Sequence, residues 1–95
     1  VGVLEELFAV IRDRQRELPA GSYTAELLSA GIGRVAQKVI EEAGESAIAA
    51  AEGRKGELAG EEADLFYHAL VLLAAAGVSP KDVWQVLRER RGEQK

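Results

Sequence analysis

Glu41, Glu42 and Glu45 fall within one turn of a helical stretch and project into an arc of about 100°. Further along, Glu61, Asp64 and His68 are spaced by three and then four residues, which confines them to an arc of about 60° on the next helical stretch. Between the two lies the short turn Gly53-Arg54-Lys55-Gly56, so the helices are antiparallel neighbours. The two acidic clusters are nearly equidistant from that turn and can face each other at one height. Carboxylates that converge in this way repel one another unless a metal or a shared proton compensates them. Oxygen ligands select a hard cation, and magnesium characteristically combines a few carboxylates with water and substrate phosphate oxygens. The chemistry this allows is hydrolysis of a phosphate ester or anhydride. The metal would neutralise developing charge while a spare glutamate orients or deprotonates the attacking water.

Each cluster also has a plainer explanation. Lys38 precedes Glu41 by three residues and Glu42 by four, so the first cluster taken alone reads as a solvated, salt-bridged face opposite the apolar stripe Val35, Ala36, Val39, Ile40, Ala43, Ala47 and Ala50. The second resists that explanation. Glu61, Asp64 and His68 share their strip with Leu65, Leu72 and Ala75 on the most apolar helix of the chain, and carboxylates entering a core need a partner. His68 reads equally as a hydrogen-bonded interior histidine or a site residue, and Trp84 as core. The arginines of the first helix form a solvated face, with Arg12 acquiring a role only if that face borders the acids. Other chemistries are excluded. A single histidine rules out a paired-histidine zinc site, the lack of cysteine rules out thiolate sites and a cysteine nucleophile, and neither a P-loop nor a nucleophile elbow is present.

The elements that must position these residues are all helical. Leu4, Leu7, Phe8 and Ile11 predict a first helix over Val3–Leu18, ended by Pro19 and Gly21. Ser22 caps a short second helix through Glu26 to Ala30, the Gly31-Ile32-Gly33 step breaks it, and a third runs from Gly33 to Glu52. The fourth spans Glu57–Ala76 and, apolar almost all round from Leu65 onward, belongs at the centre of a bundle. Ser79-Pro80-Lys81-Asp82 starts the last helix with a capping box, placing Val83, Trp84, Val86 and Leu87 inward. An all-α bundle of four to five helices in a single domain, residues 1–95, is the expected architecture. A core of this size invites a second copy to cover what is left over. The net charge of −4 argues against general affinity for nucleic-acid backbones. No membrane span or leader is evident, and a soluble, cytoplasmic protein is expected.

Glu41-Glu42-x-x-Glu45 followed by Glu61-x-x-Asp64 resembles the metal motif of the all-α nucleotide pyrophosphohydrolases, the MazG-like superfamily. Three segments narrow this to a resemblance to the phosphoribosyl-ATP pyrophosphohydrolase family, over nearly the whole chain: Gly21-Ser22-Tyr23-Thr24, Lys38-Val39-Ile40-Glu41-Glu42-Ala43 and Glu61-Glu62-Ala63-Asp64-Leu65-Phe66-Tyr67-His68. The resemblance implies a magnesium-dependent, homodimeric helical enzyme of histidine synthesis that hydrolyses phosphoribosyl-ATP to phosphoribosyl-AMP and pyrophosphate. It further implies that Glu42, Glu45, Glu61 and Asp64 bind metal, with Glu41 an outer ligand or the group that handles the attacking water. Lys38, Tyr67 and His68 would contact phosphate or ribose, and Ser22, Tyr23 and Thr24 would form a second substrate-facing segment. Two local features stand out: Gly44 inside the acidic motif, about 1 kcal/mol worse than alanine in a helix, and the additional acid Glu62. With no cyclohydrolase segment attached, the chain reads as the monofunctional form. Two other readings are a house-cleaning relative acting on a different nucleoside triphosphate and a catalytically silent helical dimer.

Overall fold

The computed structural model describes residues 2–92, which form five α-helices and no strand. Helix α1 is Val3–Glu17, α2 is Tyr23–Ser29, α3 is Ile32–Ala51, α4 is Lys55–Ala76 and α5 is Pro80–Arg90. The all-α expectation holds, with the ends displaced by a residue or two. α1 stops at Glu17 because Leu18, ahead of Pro19, takes a left-handed conformation (φ 47°) while its N–H donates to the Arg14 carbonyl. Ser22 caps α2 by accepting from the Ala25 N–H at 3.2 Å. α3 and α4 each end on a left-handed glycine: past Gly53 the Arg54 N–H reaches back to the Ala49 carbonyl, and past Gly77 the Val78 N–H reaches back to Leu73, both at 2.9 Å. α4 begins earlier than its apolar pattern because Arg54 bonds Glu57 in the first turn (2.7 Å) and Glu52 behind it (3.0 Å). The Ser79–Asp82 capping box opens α5 as expected.

α3 and α4 make the most extensive pairing, and α1 and α2 close over the second half of α4. The core joins Ile11, Leu27, Val35, Leu70, Val71 and Ala74. α4 contributes three of these six, which makes it the central helix its composition predicts. Gln15 donates to the Ala74 carbonyl at 3.0 Å, tying the end of α1 to the end of α4.

Two faces differ from expectation. On α3 the residues that turn inward are Val35, Glu42, Ser46 and Ala49, while Ile40 (73% exposed), Ala43, Ala47, Ile48 (53%) and Ala50 lie on the outside. Periodicity identifies an apolar stripe but not its partner, and here the face that turns inward mixes Val35 and Ala49 with Glu42 and Ser46. On α5, Val83 and Trp84 are half-buried, but Val86 and Leu87 are exposed. Trp84 is thus a rim residue rather than core. Its indole N–H donates to Glu5 at 2.6 Å, and that bond, after the backbone N–H groups at the start of α1, holds the Glu5 carboxyl below the usual carboxylate range. Among the described residues no single helix is long and apolar enough to cross a membrane.

Candidate functional site

Glu42 and Glu45 reach from α3, and Glu61 from α4, so that one carboxylate oxygen of each lies within 4.8 Å of the others. Their environments are graded from the interior outward: Glu42 is buried, at 7% exposure, Glu61 is half-buried and Glu45 is exposed. The short α3–α4 turn and the three- and four-residue spacings bring these groups to one height, as anticipated.

Within the chain these acids are only partly compensated. Glu42 Oε1 is 3.4 Å from the Lys38 ammonium, but Glu42 Oε2 and Glu61 Oε2 are both buried and have no hydrogen-bond partner. Two charges at about this separation repel by roughly 3 kcal/mol at an effective dielectric near 20, and a buried carboxylate oxygen without a donor adds its desolvation penalty. Lys38 cannot balance the cluster alone, because it is shared with Glu41 at 3.2 Å. The Glu41 hydrogen bond is the largest influence holding the Lys38 ammonium above the ordinary lysine range. An oxygen-only donor set with two orphaned buried oxygens fits a hard divalent cation such as magnesium.

The remaining acids stand apart from this group. Glu41 is exposed and turned along α3 toward Lys38 and, at 4.0 Å, Arg34, a partner two turns earlier on the same face that was not anticipated. Asp64 is exposed and does not join the three carboxylates. Its backbone carbonyl instead accepts from His68 Nδ1 at 2.7 Å. Glu62 is half-buried on α4 and also outside the group.

The residues expected to meet substrate form a second cluster that fastens α2 to α4. Tyr23 OH is 2.9 Å from His68 Nε2, and Thr24 Oγ1 is hydrogen-bonded to Tyr67 OH. The Tyr67 and His68 rings meet edge to face at 4.8 Å and 81°, and those of Tyr23 and His68 at 5.8 Å and 78°. Burial raises the Tyr67 phenol above its ordinary pKa, opposed by the Thr24 bond. Ser22 is engaged as a helix cap, and Tyr23, 49% exposed, presents the most open ring of the cluster. Arg12 is exposed on α1 and forms no ion pair or side-chain hydrogen bond among the described residues. Among the described residues, two concave clefts are lined by no acid. One, of about 250 Å³, lies between Gln15, Leu28 and Ile32, and the other, about 370 Å³ and apolar, lies between Leu4, Phe66 and Trp84.

The chain is similar to known proteins over nearly its whole length. The phosphoribosyl-ATP pyrophosphohydrolase family model matches residues 4–91. A phosphoribosyl-ATP pyrophosphatase from Pyrobaculum arsenaticum is 59% identical over 90 residues, covering 94% of this chain and 95% of the relative. One from Granulibacter bethesdensis is 51% identical over 92 residues, covering 97% of this chain and 58% of the relative. The histidine biosynthesis bifunctional protein HisIE of Deinococcus radiodurans is 49% identical over 92 residues, covering 97% of this chain. This chain therefore spans only 42% of that bifunctional relative's length.

Proposed function

The chain belongs to the phosphoribosyl-ATP pyrophosphohydrolase family, and from that premise we propose that it hydrolyses phosphoribosyl-ATP to phosphoribosyl-AMP and pyrophosphate with magnesium as cofactor. The observation that carries this reading is the pair of buried, unpartnered carboxylate oxygens of Glu42 and Glu61, with Glu45 at the rim. These three, joined by Asp64 from the next turn of α4, would hold the ion. When bound, magnesium supplies positive charge that neutralises the phosphate oxygens and the pyrophosphate leaving group.

The chain's own residues supply the rest. Water attacks the α-phosphorus, the bond from that phosphorus to the α–β bridging oxygen breaks, and pyrophosphate departs. Glu41, exposed and outside the metal group, is the carboxylate that orients the water and accepts its proton. Lys38 remains charged well beyond neutrality because of Glu41 and Glu42, and it offers a point cation to the departing phosphates. Tyr23, half-exposed on α2, provides a ribose- or phosphate-facing surface. The outward apolar face of α3 supports a homodimer, since a second copy would bury Ile40 and Ile48.

Pyrophosphate release, measured with magnesium present or chelated and with phosphoribosyl-ATP, ATP and dUTP offered in parallel, tests the proposal. Magnesium-dependent release from phosphoribosyl-ATP alone is expected. Release only from another triphosphate would move the substrate to a house-cleaning relative, and no release from any would leave a silent helical module.

A further inference from the structure

His68 is the chain's single histidine, and at 5% exposure both of its ring nitrogens are committed inside the protein. The Asp64 carbonyl can only accept, so Nδ1, 2.7 Å away, carries the proton. A neutral imidazole has one N–H, which leaves Nε2 as an acceptor and makes the Tyr23 hydroxyl, at 2.9 Å, the donor. Neither nitrogen is free to meet substrate, metal or water. The edges of Tyr23 and Tyr67 fix the ring plane on two sides. α2 has only seven residues, too few to persist as a helix by itself, so bonds such as these determine where its first turn sits. With its proton directed to His68, the oxygen of the half-exposed Tyr23 presents only lone pairs to its other neighbours.

We propose that His68 is a positioning residue for the pyrophosphohydrolase reaction: bonded to the Asp64 carbonyl and accepting from Tyr23, it fixes the oxygen of the half-exposed Tyr23 as an acceptor at the open edge of the α2–α4 cluster, and never touches the substrate itself. The Thr24–Tyr67 bond holds the same turn of α2 from its next residue. This inference rests on the reaction proposed above, so its test has one arm that does not require activity.

The first arm is a long-range proton–nitrogen NMR spectrum of the labelled protein, in which the single histidine gives one imidazole pattern. A protonated Nδ1 and an unprotonated, hydrogen-bonded Nε2 at neutral pH are expected. A proton on Nε2, or protons on both nitrogens, would overturn the proposal. The second arm is a double-mutant cycle on magnesium-dependent pyrophosphate release, using Tyr23→Phe, His68→Leu and the pair, with His68→Gln as the variant that keeps an acceptor. Each single change should raise KM about tenfold, the equivalent of one hydrogen bond at about 1.4 kcal/mol, and leave kcat within about twofold. The pair should be no worse than either alone, and His68→Gln should recover part of the loss. Multiplying effects or a collapse of kcat in His68→Leu would mean that His68 acts on the chemistry directly. If His68→Leu does not fold, Tyr23→Phe decides: an unchanged KM sinks the proposal. Failure of the underlying reaction is separable, since wild-type protein would then release no pyrophosphate whatever tautomer His68 adopts.

Discussion

Replacing Glu61 by glutamine should stabilise the protein in chelator and leave it less stable than wild type in saturating magnesium. Glu61 forms no ion pair among the described residues, so the substitution removes repulsion without breaking an attraction, and the new amide can donate to the orphaned Glu42 oxygen. Two charges within 4.8 Å repel by roughly 3 kcal/mol at an effective dielectric near 20. The exposed Glu45 contributes less than about 1 kcal/mol after screening, and Lys38 already offsets part of the charge on Glu42. A net gain of about 1–2 kcal/mol is expected, which raises Tm by roughly 5–15 °C for a domain of this size. Magnesium at a hundred times its Kd would stabilise wild type by about 2.7 kcal/mol, most of which the variant forgoes. Thermal unfolding followed by circular dichroism, at one protein concentration with chelator or magnesium, should therefore show the two proteins exchanging order. A wild-type protein that is the more stable of the two in chelator would refute the idea that these carboxylates await a cation.

Further changes separate the roles of individual groups. Glu45→Gln and Asp64→Asn should each lower turnover by at least about a hundredfold with helical content unchanged. Normal activity in Asp64→Asn would remove Asp64 from the proposed metal site and leave Glu42, Glu45 and Glu61 to hold it. Lys38→Ala should raise KM more than it lowers Tm, and the opposite pattern, seen by steady-state kinetics beside thermal melts, would reduce Lys38 to a salt-bridge partner. Tyr67 has its folded pKa raised above 10.0, so its contribution to stability is full below pH 10.0 and is lost as pH rises through the folded value. Melting curves at successive alkaline pH values should show that decline in wild type and a shallower one in Tyr67→Phe.

Much of this arrangement is legible from spacing alone, because helical periodicity and a short turn place Glu42, Glu45 and Glu61 opposite one another whatever else the chain does. What spacing does not convey is commitment between side chains. Tyr23, Thr24, Tyr67 and His68 are the right chemical types to meet a nucleotide, yet a seven-residue helix has to be docked by something, and in this fold they bond one another. Asp64 shares a strip with Glu61, but the strip specifies a direction to within tens of degrees, not which rotamer reaches the cluster. The α3 face is the clearest case. An apolar stripe is read as core by default, whereas here α3 turns Val35, Glu42, Ser46 and Ala49 inward and leaves much of the stripe on the outside.

That choice leaves Ile40 and Ile48 outside, with Gly44 between them on the same face, and it makes an opposing pair of expectations for Gly44→Ala. A methyl group added at Gly44 meets nothing within 4 Å in a single chain, so in a monomer the substitution should stabilise by about 1 kcal/mol through helix propensity alone. If a second copy packs on this face, the glycine is where two helices approach, and the same methyl should weaken association. Sedimentation equilibrium and concentration-dependent melting distinguish the two cases. Wild type should be dimeric, Gly44→Ala should dissociate more readily, and Ile48→Glu should be monomeric with its helices intact. A Gly44→Ala protein that is simply more stable at every concentration would place the dimer contact elsewhere and leave the α3 face as exposed apolar surface.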